Sequence, residues 1–212
     1  MKITKLGHCC LVIEEGNLRI LTDPGLYTIQ EQNNVKNIDV ILITHEHQDH
    51  LHIESLKIVL GNNPGVKIFS NKGVGKILEK DAIAYELLEH GQKKIVKGVE
   101  IEGFGELHAE IYRTLTSVDN TGYLVANKFF YPGDSFYKPG REVEILALPV
   151  GGPWLKISES VDYALDIKPK ICFPVHEAML KLPGVAHRIP SELLSKAGIN
   201  FFVPENGKEF SF

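Results

Sequence analysis

Apolar and polar residues in the first third of the chain alternate in short bursts separated by tight-turn residues. Lys2 to Lys5, Cys9 to Glu14, Leu18 to Leu21 and Val40 to Thr44 read as strands, because successive side chains of an extended chain face opposite sides. Gly16-Asn17 supplies a tolerant hairpin turn between the second and third. Ile53, Leu56 and Leu60 then recur at helical spacing, and the run Gly61 to Gly65 stops that helix, which is expected to begin near His50. A strand at Val66 to Phe69 and a helix from Gly73 to Lys80 follow.

The pattern then starts again. Lys94 to Phe104, Thr121 to Ala126, Lys128 to Tyr131 and Val143 to Leu148 read as strands. Ser158 is placed as the N-cap of a helix with Val161, Ala164 and Leu165 on its apolar face, leaving at Lys168-Pro169. An apolar strand through Cys172 comes next, then a helix from Ser191 to Lys196 and a closing strand from Phe201 to Val203. No low-complexity tract or Pro-, Gly- or Ser-rich linker divides the chain. The expectation is one α/β domain over residues 1–212, a four-layer αββα sandwich with two mixed sheets and helices on the outer faces.

Charge narrows the function. The formal net charge is −4, and no run of Lys and Arg exceeds a pair. Nucleic-acid binding needs a basic surface that displaces counterions from phosphates, so it is not expected. No stretch approaches the roughly 18 apolar residues of a membrane span, and the N-terminus has too short an apolar run for a signal peptide. Three cysteines, Cys9, Cys10 and Cys172, are an odd count with two adjacent, which suits a reducing compartment and a cytoplasmic location. They lie in strand patterns and read as core residues. The expected partner is a small-molecule substrate; assembly into a homo-oligomer is left open.

The chemistry is concentrated directly behind the apolar run Val40 to Ile43. His45-Glu46-His47-Gln48-Asp49-His50 places three imidazoles and two carboxylates at alternating and adjacent positions of a turning backbone. His45 and His47 can converge on one ion, while Asp49 and His50 face a neighbouring position. Glu46 and Gln48 should point away. Two histidines do not complete a site, and His108, Asp134 and His176 each follow a predicted strand, where side chains distant in sequence can meet.

With those residues in order, the chain resembles the metallo-β-lactamase fold superfamily, whose His-x-His-x-Asp-His signature matches His45, His47, Asp49 and His50. The family's third His, bridging Asp and final His match His108, Asp134 and His176. The opening residues Gly7 to Glu14 and the short length resemble the branch that includes the L-ascorbate-6-phosphate lactonases and other zinc-dependent hydrolases. The resemblance implies a binuclear hydrolase: one ion on His45, His47 and His108, the other on Asp49, His50 and His176, with Asp134 between them. Asp49 and Asp134 would be its catalytic carboxylates. It implies two divalent metal ions, zinc first because the ligands are rich in histidine, with manganese or iron also suited to the oxygen ligands. A metal-bridging hydroxide would attack a small ester, lactone or phosphoester. Asp23, in the segment resembling the family's first motif, would orient a metal-bound histidine; as a bare turn residue before Pro24-Gly25 it would need no such role.

His8, Trp154 and Lys156 are candidates for the substrate pocket, Lys156 as an anion contact. Against this, His8 could be a loop histidine satisfying backbone groups, and Trp154 simple packing. His52, His90 and His187 read as surface residues. The alternative function is a non-hydrolytic redox or sensor protein on the same scaffold. A di-iron redox enzyme of this fold normally pairs with a flavin domain, and the chain has no room for one.

Overall fold

Why Val40 to Ile43 carries no polar alternation becomes clear from where it lies. In the computed structural model, which describes residues 1–115 and 117–211, this run is buried on both faces. Val40 and Leu42 face one hydrophobic core and Ile41 and Ile43 another. A strand covered on both sides reads as continuous apolar sequence, and one covered on one side alternates.

It lies in the first of two seven-stranded sheets. The first is built from β1 (Lys2–Gly7), β2 (Cys10–Glu15), β3 (Leu18–Thr22), β4 (Val40–Leu42), β5 (Lys67–Ser70) and β6 (Glu86–Leu87), with the last strand of the chain, β14 (Glu209–Ser211), beside β1. The second holds β7 (Lys93–Val96), β8 (Val99–Phe104), β9 (Gly122–Val125), β10 (Phe129–Tyr131), β11 (Ile145–Pro149), β12 (Ile171–Val175) and β13 (Asn200–Phe201). Each sheet is mixed: antiparallel at β14-β1-β2-β3 and at β7-β8-β9-β10, parallel from β3 to β6 and from β10 to β13.

Three separate cores prove the layering. One lies between the sheets, where Ile13, Ile20 and Leu42 meet Val125, Phe129 and Phe173. The segment between β3 and β4 holds a short helix, α1 (Ile29–Gln32). A second core lies outside the first sheet, where Ile41 and Ile68 meet Leu56 and Val59 of α2 (Ile53–Asn62) and Val74 and Leu78 of α3 (Lys72–Lys80). The third lies outside the second sheet, where Phe130, Leu146 and Cys172 meet Val161 and Ala164 of α4 (Ile157–Ile167) and Leu194 of α5 (Gly184–Lys196). This is the four-layer αββα sandwich expected from the alternation. Among the described residues no helix is long and apolar enough to cross a membrane.

Several boundaries differ from expectation, each for a local reason. The segment Lys94 to Phe104 is two strands, because Lys97 and Gly98 take φ of +50° and +83° and make a two-residue hairpin turn. Helix α2 starts at Ile53 rather than near His50; the His52 side chain caps it by accepting the Ser55 N–H at 3.2 Å. Helix α4 starts two residues before its expected register: Lys156 occupies the N-cap, and the Glu159 carboxylate accepts its backbone N–H at 2.6 Å. Helix α5 begins at Gly184 and runs through Pro190, which is buried and lies past the first turn. The edge strands β6 and β14 were not expected; they are two and three residues long, too short for periodicity to show.

Candidate metal centre

The candidate residues meet at one end of the sandwich, beyond the ends of the strands that precede them. His45, Asp134 and His176 follow β4, β10 and β12, and His8 sits in the turn from β1 to β2. The backbone is held in uncommon conformations here: His8, Asp23 and His176 have φ of +46°, +36° and +65°. Such conformations persist only where surrounding structure enforces them, and they concentrate at functional sites. Gly25 is required by close approach, since a Cβ there would fall 1.8 Å from the Asp49 carbonyl oxygen.

Two ligand groups result. His45, His47 and His108 form one, and Asp49, His50 and His176 form the other together with His8; within each, one potential ligand atom per residue lies within 4.8 Å of the others. Asp134 lies between them. Its Oδ2 is 2.8 Å from His176 Nε2, 3.3 Å from His108 Nε2 and 4.0 Å from His45 Nε2, and its Oδ1 is 3.2 Å from His50 Nε2.

The hydrogen bonds behind the rings decide which nitrogen each histidine offers. His50 Nδ1–H donates to Asp23 Oδ2 at 2.7 Å, His108 Nδ1–H to the Ala109 carbonyl at 2.5 Å, and His176 Nδ1–H to the Gly151 carbonyl at 2.6 Å. His45 Nδ1 lies 3.1 Å from Thr44 Oγ1, whose hydroxyl donates to Asp23 Oδ2 at 2.7 Å. Each ring therefore turns its Nε2 inward, as metal-ligating imidazoles do. His50 Nε2, His108 Nε2, His176 Nε2 and Asp134 Oδ1 are buried and have no hydrogen-bond partner. Orphaned buried polar atoms are costly, and cations held by the two groups would satisfy all four. The residues present fit a metal.

Asp23 is entirely buried and used at both oxygens. Oδ1 accepts the Thr44 N–H at 2.8 Å, and Oδ2 also accepts the Tyr131 hydroxyl. Asp23 thus anchors His50 directly and His45 through Thr44. Burial and the neighbouring His50 keep His45 well below the usual imidazole range. Burial also opposes charge on His176, but the carboxylates of Asp134 and Asp49 hold it up at about 9. Burial likewise opposes charge on Asp134, yet His50 and His176 keep it well below the carboxylate range.

His8 behaves differently. Ala178 N–H donates to its Nδ1 at 3.2 Å, so the neutral ring carries its proton on Nε2, 3.2 Å from Asp49 Oδ2. Burial pushes its pKa down to about 4, which favours that neutral form. In this state His8 donates to Asp49 and has no lone pair left for an ion. It lies buried behind Asp49, with the Tyr27 ring against it at 4.9 Å, and is not on the cavity wall.

Trp154 is on that wall, but it does more than pack. Its Nε1–H donates to Asp134 Oδ2 at 2.8 Å. Lys156 corrects the sequence reading: it is exposed at the start of α4 and does not line the cavity. Sequence reasoning also missed Thr44 and Tyr131, and the cavity residues Leu26, Tyr27, Ile111 and Met179. Nothing in their local pattern separates them from ordinary strand and loop residues. The three cysteines are free and buried, as expected. Burial raises all three thiols, Cys172 to about 12, which disfavours the thiolate form in each. Cys9 is nonetheless close: its sulfur lies within 4.8 Å of ligand atoms of His50 and Asp134.

The β-lactamase superfamily domain profile matches residues 2–176. The chain belongs to the β-lactamase superfamily. Protein Rv0786c of Mycobacterium tuberculosis is similar to this superfamily member at 31% identity over 185 residues, 85% of each chain. The UPF0173 metal-dependent hydrolase of Thermoplasma volcanium is 27% identical over 190 residues, 83% of each chain. Among solved structures, Igni18, a metallo hydrolase from the archaeon Ignicoccus hospitalis, shares the fold with a TM-score of 0.75 at 21% identity, over 100% of this chain and 98% of that one.

Proposed function

We propose that this β-lactamase superfamily member is a binuclear metal-dependent hydrolase acting on a small ester, lactone or phosphoester. The observation that carries the reading is the set of inward-facing, otherwise unpartnered Nε2 atoms flanking the Asp134 carboxylate. Relatives named as metal-dependent hydrolases support it.

His45, His47 and His108 would hold one divalent ion, Asp49, His50 and His176 the other, and Asp134 would contact both. Zinc suits the histidine-rich set, with manganese or iron as alternatives. When bound, such ions acidify water towards neutrality and polarise a scissile oxygen. The chain's own part is positional. Asp23 and the Ala109 and Gly151 carbonyls fix ring orientation, His8 steadies Asp49, and Trp154 steadies Asp134. The adjoining cavity, about 520 Å³, brings a small substrate against these groups.

The test is hydrolysis of a panel of lactones, carboxylic esters, thioesters and phosphodiesters by the zinc-loaded protein, with a chelator control. Turnover that chelation abolishes and zinc restores supports the proposal. Two bound metals with no turnover on the whole panel would move the reading to a redox or sensor protein.

A further inference from the structure

The walls of the cavity beside the metal centre select among the substrates that a hydrolase could take. Besides the candidate ligands, the cavity is lined by Leu26 and Tyr27 from the segment after Asp23, Ile111 from the loop after His108, and Met179 from the loop after His176. These four are 43%, 47%, 39% and 36% exposed. Single exposed apolar side chains are ordinary, but four converging on the mouth of one polar site mark a binding surface.

Charge points the same way. Among the described residues, no Lys or Arg lines this cavity. The hollow next to it, about 420 Å³, shares Leu26 and Gln48 and adds Glu46 and Glu54, again without a cation. A phosphoryl group presents oxygens that proteins commonly clamp with Arg or Lys beyond any metal ion. Beyond any metal ion, those oxygens would meet the apolar side chains of this cavity and no compensating cation, which is unfavourable. An uncharged acyl group avoids that cost.

We infer that the substrate is an uncharged carboxylic ester or lactone with an apolar chain, the chain lying on Leu26, Tyr27 and Ile111 and the carbonyl facing Asp134. This rests on the hydrolase reading. In the reaction, water adds to the carbonyl carbon and the acyl C–O bond breaks with its electron pair passing to the alcohol oxygen. That oxygen takes one proton from the water. The carboxylic acid loses the other, leaving a carboxylate, an alcohol and one released proton.

The experiment compares p-nitrophenyl acetate, p-nitrophenyl butyrate, p-nitrophenyl phosphate and bis(p-nitrophenyl) phosphate with the zinc-loaded protein, wild type and Leu26→Ala/Ile111→Ala. Both replaced side chains are partly exposed, so the variant should fold. Each methylene buried is worth roughly fourfold, so kcat/KM should rise about fifteenfold from acetate to butyrate, and the variant should lose most of that rise. Faster turnover of either phosphate ester than of butyrate, or no dependence on chain length, overturns the inference while leaving the hydrolase reading intact. Binding is read separately by titrating octanamide, an uncharged unreactive probe, against the fluorescence of Trp154, the only tryptophan. If no substrate is turned over, the hydrolase reading fails and this titration decides the pocket. Saturable binding that weakens about tenfold in the variant supports it, and no binding overturns it.

Discussion

The indole Nε1–H of Trp154 donates to Asp134 Oδ2, the oxygen that also lies 2.8 Å from His176 Nε2 and 3.3 Å from His108 Nε2. A ring from the loop before α4 thereby sets the rotation of the one carboxylate that touches both ligand groups. Losing a hydrogen bond of this kind behind a metal ligand typically costs about 10–100-fold in metal affinity or activity. Trp154→Phe keeps most of the packing and removes only the donor. The expected result is a folded protein with metal affinity lowered by that order, measured by competition with a chromophoric chelator. Unchanged affinity and activity would reduce Trp154 to a packing residue.

Asp23→Asn should act on the second ligand group first. The amide oxygen can still accept from Thr44 N–H, but the NH2 then takes the place of Oδ2 and faces the donors His50 Nδ1–H, Thr44 Oγ1–H and Tyr131 O–H instead of accepting from them. Metal affinity or turnover should fall about 10–100-fold with the fold retained by circular dichroism. Equal affinity in variant and wild type would leave Asp23 as a turn residue only.

Metal stoichiometry tests the two groups directly. Elemental analysis of the wild type should find close to two ions per chain. His47→Ala leaves His45 and His108 in the first group, so most of that group's metal should be lost while the second is retained. Full occupancy at both positions in the variant would contradict the assignment.

Acid stability should report on Glu177, the neighbour of His176. Its carboxylate pairs with the buried Lys5 ammonium, which also donates to the Pro174 carbonyl at 2.8 Å. Burial raises the Glu177 pKa, but His187 and Lys5 more than offset it and leave it lowered. A lowered native pKa means the unfolded chain binds the proton more readily. The stabilisation is therefore present above the unfolded carboxylate value of about 4.3 and disappears as pH falls through the native one. Glu177→Gln should lower the melting temperature at pH 7, with the gap to wild type closing in acid. A gap that stays constant from pH 7 to pH 3 would rule this linkage out.

Cys10 and Cys172 lie in the two outer cores, away from the ligand atoms. Cys10→Ala and Cys172→Ala should each keep full metal content and activity, at a stability cost of about 1 kcal/mol for the small cavity. Loss of activity with metal intact in either variant would point to a nucleophilic or redox thiol.

The sequence by itself determined the four layers and singled out most of the candidate ligand residues that the fold brings together. Apolar runs buried on both faces, such as Val40 to Ile43, differ visibly from alternating ones, and strand-then-helix order restricts how they can stack. The cluster from His45 to His50 was legible because its spacing is local: backbone geometry alone brings those side chains to one turn. His108, Asp134 and His176 were legible as residues directly past apolar strands. Short edges were not, since β6 and β14 are made by partners already in place rather than by periodicity. Nor was the start of α5, where Pro190 resembles a beginning and is instead accommodated in the third core's covering helix. Only the tertiary structure decided what surrounds the ligands: that Trp154 holds Asp134, that His8 stands behind Asp49, that Lys156 faces away, and that Leu26, Tyr27, Ile111 and Met179 share one wall. Those relations join segments 20 to 153 positions apart. Hydrogen-bond direction and apolar convergence at such separations arise only when the two sheets pack and bring their loop ends to a common rim.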